Sequence, residues 1–186
     1  DIGLNETGRR QAERLALALA DERLDAVYAS DLQRAVDTAR ALAAGAGLVV
    51  HGDAALRERH FGIFEGLTFA EIERRHPAES LRWRQRDAGF GPAGGETLQA
   101  FFQRAVAGVA AIAARHRGQH VVVVTHGGVL DALYRAATRV ALDAPRTWQI
   151  GNASINRLLH GEQGFTLVGW SDTSHLENIP LEVGTT

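Results

Sequence analysis

A histidine and an arginine each stand just past a short apolar run, in positions suited to meeting an anion. His126 follows a run of four valines and precedes two glycines, and Arg34 comes four residues after Ser30, where another short apolar run ends. Free N–H groups at a helix start and the guanidinium fork of arginine both suit phosphate oxygens. Together, His126 with its two glycines and Arg34 predict a phosphate site. Taken alone, His126 also fits a structural hydrogen bond, and Arg34 also fits a solvated helix position.

Glu58 lies in the segment 56–66, which mixes charged residues with glycine and phenylalanine. If this segment folds over the phosphate site, the carboxyl group of Glu58 can serve as a general acid for a leaving alkoxide. The flanking Arg57 and Arg59 equally predict a surface ion pair, which contributes little to stability. Spacing alone favours the ion pair.

The elements that would hold these residues alternate between helix and strand. Apolar residues at helical spacing predict helices that start after Asn5, after Ser30-Asp31 and after Gly128, and that span 97–117. Strands are predicted at 25–29, 48–51 and 121–124, and a β-hairpin at 155–169. Ser30-Asp31 are predicted to cap their helix. The unbroken valine run 121–124 is typical of a strand buried on both faces of a parallel sheet.

This alternation favours an α/β sandwich with helices on both faces of a mostly parallel sheet. We expect one domain over 1–186. Between 53 and 95 the helical period is lost among repeated glycines and prolines. This predicts a lid or substrate-facing insertion within the domain.

The amino-acid composition argues against several classes of function. The chain has 186 residues, a formal net charge of −2 and 45% hydrophobic residues, which is enough to bury a core without disulfides. The absence of cysteine excludes thiolate metal sites and cysteine nucleophiles. Balanced charge argues against dedicated nucleic-acid binding. No apolar run reaches the length of a membrane span, and we expect a cytoplasmic protein.

Five segments, in this order, resemble the histidine phosphatase superfamily, the phosphoglycerate mutase-like proteins. They are Leu-Asn-Glu-Thr-Gly within 4–12, Ser-Asp-Leu-Gln-Arg-Ala within 30–39, Leu-Arg-Glu and Gly-Ile-Phe-Glu-Gly within 56–66, Gly-Gly-Glu-Thr at 94–97, and Thr-His-Gly-Gly-Val-Leu at 125–130. The match covers nearly the whole chain. The resemblance implies a three-layer α/β/α fold and a reaction through a phosphohistidine that needs no metal and no cofactor.

The resemblance also implies a role for each matching residue. Arg34 would bind the transferred phosphoryl group, and His126 would be a second phosphate ligand with help from the backbone of Gly127. Glu58 would protonate the leaving group and later activate water. Arg59 is a weaker candidate for contact with acidic groups of the substrate. Such a site works by positioning and charge stabilisation.

The family's nucleophile belongs to an Arg-His-Gly motif at the end of the first strand, and that triplet does not occur in this sequence. His126 matches the family's other histidine and is not the nucleophile. The sequence also contains no methionine. We therefore expect that the chain is truncated at its N-terminus, that the nucleophilic histidine lies upstream of Asp1, and that this fragment alone is inactive.

Two features favour the phosphatases of the family over its mutases: the short stretch between 66 and 94, and Gly-Gly-Val-Leu after His126. The segment 58–62, Glu-Arg-His-Phe-Gly, is close to the mutase form, so a phosphoglycerate mutase stays an alternative. A non-catalytic protein that binds a phosphate ligand is another. We expect a small phosphorylated metabolite as ligand and no nucleic-acid or membrane partner. Homodimers are common among the proteins that this chain resembles.

Overall fold

The computed structural model describes residues 1–177, so the last residues of the predicted domain 1–186 lie outside it. The helices are α1 (Glu6–Ala18), α2 (Gln33–Ala46), α3 (Phe69–Arg75), α4 (Pro77–Arg84), α5 (Leu98–Arg115) and α6 (Gly127–Thr138). The strands are β1 (Ala26–Ala29), β2 (Val50–Gly52), β3 (Val121–Val124), β4 (Ile155–Gly161) and β5 (Gly164–Asp172). Within residues 1–177, no helix has both the length and the apolar character of a membrane span.

The strands form a parallel sheet and a separate hairpin. The parallel sheet has the order β2-β1-β3, with Val27 of β1 in register with Val50 and Val122. Strands β4 and β5 pair antiparallel, which confirms the predicted hairpin. The expectation that β3 is buried on both faces is wrong, because all four of its valines are only half-buried. Among the described strands, β3 pairs with β1 alone and so lies at an edge.

Helices cover both faces of the parallel sheet. Val121 and Val123 pack with residues of α5 and α6, including Phe101 and Val129. Val122 and Val124 point to the opposite face, where residues of α1 and α2 lie. The alternation of side chains along a strand thus divides the core into two halves. This arrangement confirms the predicted α/β sandwich.

Of the two helix caps predicted from the sequence, the one at Asn5 is confirmed. The side chain of Asn5 accepts a hydrogen bond from Gly8 N at 2.8 Å, and that of Thr97 accepts one from Ala100 N at 3.0 Å. The predicted Ser30-Asp31 cap of α2 is wrong. The helix begins at Gln33, whose N–H donates instead to Oδ2 of Asp1 at 2.8 Å. Ser30 and Asp31 have partners elsewhere in the fold.

The segment 53–95 has a small apolar cluster of its own and also contributes Leu56 to the main core. It contains two 3-10 turns, Ala54–Leu56 and Gly62–Phe64, as well as α3 and α4. Phe64, Ile72 and Phe90 form its small buried cluster. Gly62 has a φ of +52°, and a Cβ there would lie 2.2 Å from the carbonyl oxygen of Ala93, so the chain at 62 and the chain at 93 approach this closely only because residue 62 is glycine.

Candidate active site

His126 stands at the junction between β3 and α6, at the carboxyl edge of the parallel sheet. It is 8% exposed. The preceding residue, Thr125, donates its hydroxyl to the carbonyl of Leu56 at 2.8 Å, which ties the junction to the segment 53–95. The His126 ring nitrogen Nε2 lies 2.8 Å from the hydroxyl oxygen of Ser30, the residue that follows β1. The residues that follow two neighbouring strands therefore lie in contact at the carboxyl edge of the sheet, as expected in parallel α/β sheets.

Burial and positive charge both disfavour the charged form of the His126 ring. Desolvation is the larger cause, and the guanidinium groups of Arg34 and Arg104 add to it, so that the pKa of His126 falls to about 4. The carboxylate of Asp31 opposes the shift. His126 is therefore neutral at pH 7, and the positive charge of the two arginines around it suits an anion.

Arg34 is the second residue of α2, and it lies near enough to His126 for its charge to act on the ring, although His126 follows in sequence more than ninety residues later. The side chain is half-buried, and no carboxylate of residues 1–177 lies within salt-bridge distance of it. A guanidinium without a protein counter-ion is free to bind an oxyanion.

Glu58 reaches the first turn of α6. Its Oε2 accepts a hydrogen bond from Gly128 N at 2.9 Å, and its Oε1 accepts one from Arg59 N, also at 2.9 Å. The ion-pair interpretation of this residue is wrong, since Arg57 forms a bidentate pair with Asp31 instead. The N–H of Gly127 has no acceptor among the described residues, because Glu58 accepts from Gly128 instead. This N–H can therefore donate to a bound anion.

Arg104 and Glu96 hold the loop that carries Glu58. Arg104 Nε and Nη2 donate to the two carboxylate oxygens of Glu96 at 2.8 and 2.7 Å. Its Nη1 donates to the carbonyls of Ala55 and Arg57 at 2.9 and 3.0 Å. The hydrogen bonds from Arg104 also lower the pKa of Glu96, which keeps this carboxylate ionised. Arg104 is not among the residues predicted from the sequence, because there it looks like an ordinary residue of a helix.

Arg59 makes contacts within the segment 53–95 and with Glu96 just after it. Its guanidinium donates to the carbonyl of Phe90 at 2.8 Å and to that of Glu96 at 3.0 and 3.1 Å. Burial lowers the pKa of this arginine, which is 7% exposed. Its contact with acidic groups of a substrate stays a prediction, and the bonds seen here join the loop around residue 59 to the start of α5.

The sequence match agrees with this geometry. The model of the histidine phosphatase superfamily (branch 1) matches residues 1–173. The chain belongs to the histidine phosphatase superfamily. The five motifs that indicated this family therefore lie on a fold that brings three of them, around Arg34, Glu58 and His126, to one edge of the sheet.

Histidine phosphatase relatives carry phosphatase and mutase-like names. The chain is 39% identical over 183 residues to "Phosphoglycerate mutase-like protein 4" of Arabidopsis thaliana, covering 95% of this chain and 77% of that protein. It is 37% identical over 181 residues to the "Metal-independent phosphoserine phosphatase" of the same plant, covering 95% and 74%. Membership of this family and the phosphatase among its relatives indicate an enzyme.

A solved structure with a similar fold is the mycobacterial glucosyl-3-phosphoglycerate phosphatase in complex with VO3. It shares 35% identity with this chain, covers 92% of it and 88% of its own length, and aligns with a TM-score of 0.80. The likeness confirms the histidine phosphatase fold for this chain.

Proposed function

We propose that this histidine phosphatase hydrolyses a phosphomonoester through a phosphohistidine, with the nucleophilic histidine supplied from upstream of residue 1. In the first step the histidine nitrogen attacks phosphorus, the ester P–O bond breaks, and Glu58 gives its proton to the leaving oxygen. In the second step water attacks phosphorus, Glu58 takes the proton from the water, and the P–N bond breaks to release phosphate. No metal ion takes part in either step.

The observation that carries the proposal is the convergence of three distant segments on the edge of the parallel sheet. Arg34 and the N–H of Gly127 bind the phosphoryl oxygens, and neutral His126 adds a third contact. Glu58 is held against the same helix start by Gly128 N at 2.9 Å. Donors fixed before the reaction stabilise the charge that develops in the transition state.

The names of the relatives guide the choice of substrate. One relative is named for phosphoserine, and a solved relative for glucosyl-3-phosphoglycerate. Both are small phosphorylated metabolites with a carboxylate, and we propose a substrate of this class.

A phosphoglycerate mutase is the second candidate, because the Arabidopsis relative at 39% identity carries a mutase-like name. The two reactions share the first step and differ in whether water or a second hydroxyl group takes the phosphoryl group. Product analysis separates them: a phosphatase releases inorganic phosphate, whereas a mutase interconverts 2-phosphoglycerate and 3-phosphoglycerate.

The test uses the chain extended upstream of Asp1 by its native coding sequence, with a panel of phosphomonoesters as substrates. We expect release of phosphate in the presence of a chelator. Glu58→Gln should lower kcat by about 10²-fold or more, as loss of a general acid does, and Arg34→Ala should lower kcat/KM by about 10²-fold or more. The matched control is Arg40→Ala on the same helix, where the side chain is 67% exposed. Phosphate binding without turnover would favour a non-catalytic ligand-binding protein.

Strand β2 lies at one end of the described parallel sheet. Strand β2 pairs only with β1 within residues 1–177, and Val49 beside it is 73% exposed. Exposed strand edges pair readily with other chains, so we propose that a homodimer would use this edge. Light scattering of the wild type and of Val49→Lys tests whether a homodimer forms through this edge.

We also propose a cytoplasmic location, which cell fractionation tests.

A further inference from the structure

Ser30 touches His126 and carries no role in the mechanism above. It follows β1, is 0% exposed, and its backbone N–H donates to the carbonyl of Val124 at 2.9 Å. Its hydroxyl oxygen lies 2.8 Å from His126 Nε2. The backbone bond between the two strand ends fixes the separation of these two side chains.

The hydrogen-bond capacity of Ser30 decides the direction of this contact. The hydroxyl group has one proton to donate and two lone pairs to accept. One lone pair accepts the N–H of Leu32 at 3.3 Å. Within the described residues, the only acceptor in reach of the hydroxyl proton is His126 Nε2. If Nε2 carried a proton instead, the Ser30 proton would be buried without a partner, which costs about 1–3 kcal/mol.

We propose that Ser30 is a positioning residue that donates its hydroxyl proton to His126 Nε2 and thereby holds the ring proton of neutral His126 on Nδ1. The inference is based on the distance between Ser30 Oγ and His126 Nε2 and on the single proton of the hydroxyl group. Its consequence for phosphate binding rests on the proposed function.

The tautomer decides whether a neutral ring can bind phosphate. Nδ1 has no hydrogen-bond partner among residues 1–177, and it is absent from the fully buried unpaired atoms of that part of the chain, so it faces accessible space. With the proton on Nδ1, this nitrogen donates to a phosphoryl oxygen. With the proton on Nε2, it would present a lone pair to an anion. Ser30 thus makes a neutral histidine a donor toward phosphate.

The first experiment reads the tautomer directly. The chain is labelled with ¹⁵N-histidine, and two-dimensional ¹H–¹⁵N spectra at pH 7 report which ring nitrogen carries the proton. His126→Gln assigns the signal. We expect Nδ1 to be protonated and Nε2 to be unprotonated. A proton on Nε2, or on both nitrogens, would overturn the proposal, and this measurement needs no variant of Ser30 to fold.

The second experiment changes the hydroxyl group and uses inorganic phosphate as the probe. Ser30→Ala should shift the His126 tautomer toward protonated Nε2 and weaken phosphate binding by about tenfold, which corresponds to the loss of about 1.4 kcal/mol. Ser30→Thr keeps the hydroxyl group and should preserve both the Nδ1-protonated tautomer and the phosphate affinity of the wild type. Ser80→Ala is the control, since Ser80 is a serine of α4 that is 4% exposed and lies in the segment 53–95. An unchanged tautomer in Ser30→Ala would contradict the proposal.

The two readings separate this proposal from the proposed function. Protonated Nδ1 together with no phosphate binding by the wild type would leave the role of Ser30 toward His126 intact and count against a phosphate site. Phosphate binding with a proton on Nε2 would keep the phosphate site and refute the role of Ser30.

Discussion

The carboxylate of Glu58 rests on the backbone of Gly128, with Oε2 2.9 Å from the glycine nitrogen. A Cβ at position 128 would lie 2.1 Å from Oε1 of Glu58 and 3.1 Å from the ring of Phe101. Glycine is therefore required there for the acid group to reach the helix start. The contact couples the segment 53–95 to the helix that follows His126.

Gly128→Ala should displace Glu58 and destabilise the protein by about 1–3 kcal/mol, through loss of the hydrogen bond and forced repacking. The control is Gly127→Ala, where the Cβ would meet Ile150 Cγ2 at an ordinary 3.9 Å. Urea unfolding of the two variants and the wild type measures the difference. Equal stabilities for both variants would show that Glu58 does not depend on residue 128.

Arg104 should matter far more to stability than Arg57, although each forms a bidentate pair with a carboxylate. The Arg104–Glu96 side chains are 27% and 25% exposed, whereas Arg57 and Asp31 are 53% and 37% exposed. Because Arg104 also bonds backbone carbonyls of the loop before Glu58, Arg104→Ala should lower the free energy of unfolding by about 1–3 kcal/mol. Arg57→Ala should change it little, since water screens an exposed pair.

Unfolding experiments on both arginine variants, at low and at high salt, check this expectation. Faster hydrogen exchange of the amides of residues 55–60 in Arg104→Ala would place the loss in the loop that carries Glu58. A similar effect of the two substitutions would contradict it.

Two helical glycines should respond to alanine with opposite signs. At Gly45 in α2, a Cβ would meet no atom of residues 1–177 within 4 Å, so Gly45→Ala should stabilise the protein by about 0.5–1 kcal/mol through helix propensity. At Gly108 in α5, a Cβ would lie 2.7 Å from that of Ala55. Gly108→Ala should therefore destabilise by about 1–3 kcal/mol despite the same gain in propensity. Thermal unfolding of each single variant measures both effects, and stabilisation by both would refute the close contact.

Acidification should destabilise the protein through His126. The unfolded chain takes up a proton at this residue near the ordinary pKa of about 6.5, whereas the native ring does so only near its pKa of about 4. The unfolded state therefore binds more protons as the pH falls from about 6.5 to about 4, and the free energy of unfolding drops by up to about 3 kcal/mol. Below that window the loss levels off.

Comparison with His126→Gln isolates this contribution, because the carboxylates with lowered pKa, such as Glu96, are present in both proteins. The difference in free energy of unfolding between wild type and variant should shrink steadily between pH 6.5 and pH 4 in denaturant titrations. A difference that is independent of pH would show that the native ring titrates normally.

The sequence by itself determined the order of helices and strands outside the segment 53–95, the family, and the candidate residues Arg34, Glu58 and His126. The cap at Asn5 was predictable because its side chain accepts from a backbone N–H only three residues away. The hairpin was predictable for the same reason, since its turn lies between Gly161 and Gly164. Local hydrogen bonds and periodic burial leave a pattern in consecutive residues.

Only the tertiary structure decided how the site residues are held. Glu58 finds its partner 70 residues away in Gly128, and Ser30 finds His126 96 residues away, so neither contact leaves a local pattern. The expected cap at Ser30 and the expected ion pair of Glu58 are absent because Ser30 contacts His126, Glu58 contacts Gly128, and Arg57 pairs with Asp31. Arg104 was missed because its acceptors are the carboxylate of Glu96 and the backbone carbonyls of Ala55 and Arg57. No sequence motif marks a backbone carbonyl as an acceptor, because any residue type supplies one.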